Sequence, residues 1–172
     1  MSTTAITGER ADLIETLDKH RGFVLHTVHG LTDEQAARRT TASELCLGGI
    51  VKHLTAVEQN WFNFINHGAS ATGRWDDEER MQSYLDGFRM LPGETLADLV
   101  AQYQDVARTT DELVATLADL GAAHALPEAP WYPPGTSWSA RRVLLHVIAE
   151  TAQHAGHADI IRESLDGAKT MS

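Results

Sequence analysis

The chain reads as an all-α protein, a four-helix bundle of one domain spanning residues 1–172, with long crossing connections. Three observations predict this. Four long stretches carry apolar residues at alternating three- and four-residue spacing, the period of a helix with one buried face. No stretch shows the strict apolar–polar alternation of a half-buried strand. The breakers gather between the helical stretches: Pro92-Gly93 is one cluster, and Pro127, Pro130, Pro133 and Pro134 fall in the segment 121–137.

The first helix is expected over residues 8–29, with Leu13, Ile14, Leu17, Phe23 and Val24 on its apolar side and Gly30 as its stop. The stretch 30–49 reads as an irregular connector with one short turn, where Thr32 and Gln35 have capping-box spacing. The second helix covers LGGIVKHLTAVEQNWFNFINH, residues 47–67, with the stripe Ile50, His53, Val57, Asn60 and Phe64. Residues 69–94 hold Trp75, an acidic run at Asp76 to Glu79 and a short amphipathic piece around Met81 to Met90. Thr95 is placed to cap a third helix that runs to about Leu120 and buries Leu96, Leu99, Val100, Tyr103, Val106, Leu113 and Leu117. The proline-rich segment that follows should be an ordered, lid-like loop. Ser139 then caps the fourth helix, which contains RRVLLHVIAETAQHAGHADIIRE, residues 141–163.

That last segment carries the chemistry. Val143, Val147, Glu150, His154 and Ile161 share one face, with His157 and Ala158 filling the gap. The apolar ends of the stripe call for burial, and Glu150 and His154 go inward with them. A buried carboxylate beside an imidazole is costly without a partner, and a divalent metal suits a Glu and a His one turn apart. His53 lies on the apolar stripe of the second helix and supplies a third donor. The metal site expected is therefore His53, Glu150 and His154; the plainer reading is a hydrogen-bonded Glu–His couple beside a structural histidine.

The neighbours sort by spacing. His157 is a candidate for a second-sphere or substrate-facing group, a proton carrier, or a fourth ligand; His146 reads as structural. Glu58 and Asp159 are candidates to orient a ligand imidazole through its other nitrogen. Cys46, seven residues before His53, reads as a small buried hydrophobe rather than a soft ligand. His20, His26, His29, His67 and His124 sit near helix ends or loops and read as solvated. Trp61, two turns beyond His53, together with Trp131, Tyr132 and Trp138 of the proline-rich loop, would line the mouth of the pocket, Trp61 and Trp138 as its binding surface.

Composition sets the outer bounds. The 172 residues suit a single core. A net charge of −10 with scattered Lys and Arg argues against nucleic acid. No apolar run approaches a membrane span, the N-terminus lacks the pattern of a signal peptide, and a single cysteine fits a reducing cytoplasm. A small-molecule substrate and a homodimer through an apolar helix face complete the expected partners.

With GGIVKHLTAVEQNWF around His53 and ETAQHAGHAD around Glu150 and His154, essentially the whole chain resembles the DinB/YfiT-like metalloproteins, which include the N-terminal domain of mycothiol-dependent maleylpyruvate isomerase. The resemblance implies a helical bundle holding a divalent metal, commonly zinc or nickel. Glu150, where many members carry histidine, resembles the isomerase subgroup and favours His53, Glu150 and His154 over a three-histidine set. The isomerase's additional C-terminal domain has no counterpart before Ser172, so thiol recognition by that domain does not carry over. The implied activity is a thiol S-transferase or isomerase using a low-molecular-weight thiol such as mycothiol, acting through a metal-bound thiolate. A metal-dependent hydrolase and a metal-stabilised binding or stress-response module are the alternatives.

Overall fold

Side-chain caps start each of the described helices after the first, near where the sequence places them. The computed structural model of the chain describes residues 6–71, 82, 84–129 and 131–170. Its elements are α1 (Glu9–Val28), α2 (Asp33–Ala37), α3 (Leu47–His67) continued by a 3₁₀ turn (Gly68–Ala71), α4 (Leu96–Thr116), strands β1 (Ala123–Ala125) and β2 (Ser137–Ser139), and α5 (Ala140–Asp166). Thr32 and Gln35 form the expected reciprocal capping box at α2. Thr95 Oγ1 accepts from Asp98 N at 3.1 Å, and Ser139 Oγ accepts from Arg142 N at 3.2 Å. Cys46 caps α3, its sulfur accepting from Gly49 N at 3.4 Å, so the buried thiol has a backbone role as well as a packing one. Trp75, the run Asp76 to Glu79 and Met81 lie outside the described residues.

α1, α3, α4 and α5 form the bundle: α5 packs along α1 and α3, and α4 closes against α3 and α1. The expected loop at 121–137 departs from its reading in one respect. β1 and β2 pair antiparallel, with His124 opposite Trp138. Three-residue strands are too short for an alternation pattern to register. This ribbon carries Trp138 directly into the cap of α5. His124, expected to be solvated, is half-buried instead; its Nε2 lies 3.1 Å from Ile65 O and its ring edges Phe64, which ties β1 to the end of α3. No helix among the described residues is long and apolar enough to cross a membrane.

The core is divided in two. One apolar cluster gathers Val24, Val28, Ile50, Leu54, Leu99 and Ile161, the other Leu13, Leu17, Phe64, Val114, Val143 and Val147. Every long helix contributes to both, and each carries polar residues between its two contributions: Arg21 on α1, Glu58 on α3, Thr110 and Asp111 on α4, Glu150, Thr151 and His154 on α5. The bundle therefore has a polar waist. Arg21, 3 % exposed, pairs bidentately with Glu58, 1 % exposed, and donates to Asp111 at 2.8 Å and Asp18 at 3.1 Å. Burial alone would lower the Arg21 pKa, but the Glu58 and Asp111 carboxylates outweigh it and hold the guanidinium charged. Burial raises Asp111, against the opposing pull of Arg21. Glu58 is thus committed to Arg21 and does not orient a ligand imidazole. Its burial also rotates the α3 stripe: Asn60 is exposed where the apolar spacing would bury it.

Removing one partner of such a pair leaves a buried charge. Arg21→Met should cost ~3–5 kcal/mol, and Arg21→Met/Glu58→Leu should recover most of that loss. Urea unfolding of the two variants checks both statements.

Candidate metal centre

Two helices bring three donors together at the waist. His53 of α3 and Glu150 and His154 of α5 each offer one ligand atom, and these atoms lie within 4.8 Å of one another. The i, i+4 spacing stacks Glu150 and His154 one turn apart, with His154 Nε2 at 3.7 Å from Glu150 Oε2. The His53 and His154 rings meet edge-on, with centroids 4.8 Å apart. At these separations the three groups do not hydrogen-bond to one another, so the plainer couple of a bonded Glu and His is not what the side chains form. A His–Glu–His cluster of this kind can hold a metal ion.

Electrostatics keep the imidazoles ready to coordinate. Burial pushes His53 down to about 4, and the neighbouring His154 ring adds to the effect. Burial also lowers His154, against the raising influence of Glu150. A neutral imidazole offers a lone pair, which its protonated form does not.

The positions of the rings are set by packing. Phe88 stacks on His53 with centroids 4.3 Å apart and an interplanar angle of 24°, and Tyr84 meets the same ring edge-on. Phe88 comes this close because α3 begins with two glycines. A Cβ at Gly49 would collide with the Phe88 backbone, and one at Gly48 would collide with the Met90 side chain. On the other side, His157 Nδ1 lies 3.4 Å from His154 Nδ1, the ring nitrogen of His154 other than the one nearest Glu150. His157 is therefore beside the cluster, not in it. Asp159 accepts from Thr170 N at 2.7 Å and from the Thr170 hydroxyl, which pins the end of the chain rather than any ligand imidazole.

Sequence spacing left His146 as structural, but it touches the site. Its Nε2 lies 3.8 Å from Glu150 Oε1, so the carboxylate sits between two imidazoles. The His146 ring edges both Trp61, at 5.1 Å, and Trp138, at 5.2 Å. Trp61 and Trp138 stack at 5.0 Å and 18°, and Tyr132 edges Trp138 at 5.7 Å. The expected aromatic residues thus form one platform that begins at His146. Leu126 to Ala129 and Tyr132 to Thr136 wall a cavity of about 410 Å³ that none of the three donors lines. The signal for His146 was its place four residues before Glu150, on the same ridge of α5.

Fold and cluster together define a helical bundle of the DinB/YfiT-like type. A family model described as mycothiol-S-transferase matches residues 12–167, and the chain belongs to that family. Among solved structures it is similar to one described as the conserved protein of locus from Enterococcus faecalis, with a TM-score of 0.65 and 13% identity over 95% of this chain and 100% of that one, a likeness of fold. A search of curated proteins finds none that matches.

Two predictions follow from the packing and the electrostatics. Gly49→Ala should cost ~1–3 kcal/mol in urea unfolding and weaken metal binding, because the Phe88 backbone and the His53 ring must both shift. In the metal-free protein His53 stays neutral when folded but takes up a proton near its ordinary 6.5 when unfolded. The unfolded state therefore binds more protons between pH 6.5 and about 4. As pH falls through that window, stability should drop at up to ~1.4 kcal/mol per pH unit from this group, and His53→Phe should remove that share of the dependence.

Proposed function

We propose that this protein is a divalent-metal-dependent S-transferase that joins a low-molecular-weight thiol of the mycothiol type to a carbon electrophile. The observation that carries the reading is the juxtaposition of a three-donor cluster, its imidazoles kept neutral, with an aromatic platform that reaches Glu150 through His146. Membership of the mycothiol-S-transferase family supports it.

The donor set fits a borderline ion such as zinc or nickel: two imidazoles and one carboxylate, one donor fewer than the four of a closed structural zinc site. His53, Glu150 and His154 would hold the ion. When bound, it supplies a positive field that lowers the pKa of a coordinated thiol. The remaining work falls to side chains. His157 Nδ1, facing the outer nitrogen of His154, accepts its N–H and so fixes the tautomer that points Nε2 toward the ion; the thiol proton is released to solvent. Phe88 and Tyr84 crowd His53 and exclude water from one side. Trp61 and Trp138 hold the apolar body of the electrophile. In the transfer, the sulfur electron pair forms the C–S bond. The leaving group departs with its bonding pair, or, in an unsaturated acceptor, the displaced pair takes a proton from solvent onto carbon.

Protein loaded with zinc or nickel should consume mycothiol with 1-chloro-2,4-dinitrobenzene, releasing one chloride per thioether formed. His53→Ala and His154→Ala should each lose this activity and weaken metal retention by more than the ~10–100-fold typical of losing an outer partner. Ester or amide cleavage without any thiol, in place of thioether formation, would contradict the proposal and favour a hydrolase.

A further inference from the structure

One arginine stands apart from the rest. Arg21, Arg38, Arg39, Arg89, Arg108, Arg141 and Arg162 are each paired with carboxylates, and Arg10 donates to the carbonyls of Val114 and Leu117. Among the described residues only Arg142 has neither kind of partner. Its guanidinium instead lies 4.2 Å from the centroid of the Trp138 ring. The chain carries a net charge of −10, yet this exposed guanidinium faces an indole and no acid.

Its place on α5 gives this a direction. Arg142, His146, Glu150 and His154 follow one another at four-residue spacing, the ridge of a helix surface. Eight residues separate Arg142 from Glu150, roughly 12 Å of rise. The platform links the two ends: Arg142 lies over Trp138, Trp138 stacks on Trp61, both edge His146, and His146 approaches Glu150. A planar guanidinium held against an indole keeps its N–H edge free for bidentate donation to a carboxylate. The indole face also reduces the side-chain entropy lost on binding.

We propose that Arg142 anchors a carboxylate on the acceptor substrate, whose planar body lies along Trp138 and Trp61 with its reacting end at the His53–Glu150–His154 cluster. The substrate class is an aromatic or unsaturated electrophile that bears an acid group several bonds from the carbon attacked. This rests on the transferase reading and sharpens it to an acidic acceptor.

Equilibrium dialysis tests the anchor without turnover, using metal-loaded protein with 4-nitrobenzoate and its neutral counterpart 4-nitrobenzamide. Wild type should bind the acid about tenfold tighter than the amide, the size of one charge-assisted hydrogen bond. Arg142→Met should abolish that preference, and Glu150→Ala/His154→Ala should keep it. No preference in wild type, a preference that survives Arg142→Met, or one lost with the cluster (the acid then sitting on the metal) would each overturn the proposal. Thiol transfer to the neutral 1-chloro-2,4-dinitrobenzene is scored apart, so failure of the transferase reading and failure of the anchor are distinguishable.

Discussion

The polar waist across the bundle is the constraint to which the rest of the structure answers. Four amphipathic helices can bury their apolar faces in one continuous core, yet here each is interrupted at mid-length by groups that carry or accept charge. Desolvating those groups costs several kcal/mol apiece unless each finds a partner. On the α1–α3–α4 side the partners are internal: the one guanidinium of Arg21 donates to the carboxylates of Glu58, Asp111 and Asp18. On the α3–α5 side His53, Glu150 and His154 gather within 4.8 Å without bonding to one another. These three donors are placed so that they could hold a divalent cation between them. The apolar clusters above and below fix helix position, so the three donors converge without depending on loops for their placement.

Beside the cluster, the second strand of the β1–β2 ribbon places Trp138 against Trp61 and His146 and then caps α5 through Ser139. One short segment thus starts the helix that bears two of the three donors and carries the tryptophan that stacks on Trp61. Phe88, admitted by Gly49 at the head of α3, closes the opposite side over His53.

Much of this was legible in the sequence, because helical spacing is a strong signal where apolar residues dominate. The four long helices, the Thr95 and Ser139 caps, the Thr32–Gln35 box, and the inward positions of His53 and, less fully, His154 follow from period and cap chemistry, whereas Glu150, expected inward with them, keeps 28 % of its side chain exposed. Failures came where polar groups are buried. Arg21 carries no signal of burial in the sequence, and Glu58 reads there as support for a ligand imidazole; their pairing spans two helices, and spacing within one helix cannot register it. Asn60 was placed inward for the same reason, since the buried Glu58 shifts the phase of α3. His146 sat on the right ridge of α5, but its contact with Glu150 depends on tryptophans from α3 and β2.

The most direct test of the account is metal content by mass spectrometry on untagged protein, wild type beside Glu150→Ala/His154→Ala. Convergence of the three side chains on one cation predicts about one divalent ion per chain in the wild type and its loss in the variant, with the helical circular dichroism retained. Equal metal in both proteins, or none in a wild type offered zinc and nickel in excess, would contradict it and reduce the cluster to a buried polar layer like that of Arg21 and Glu58.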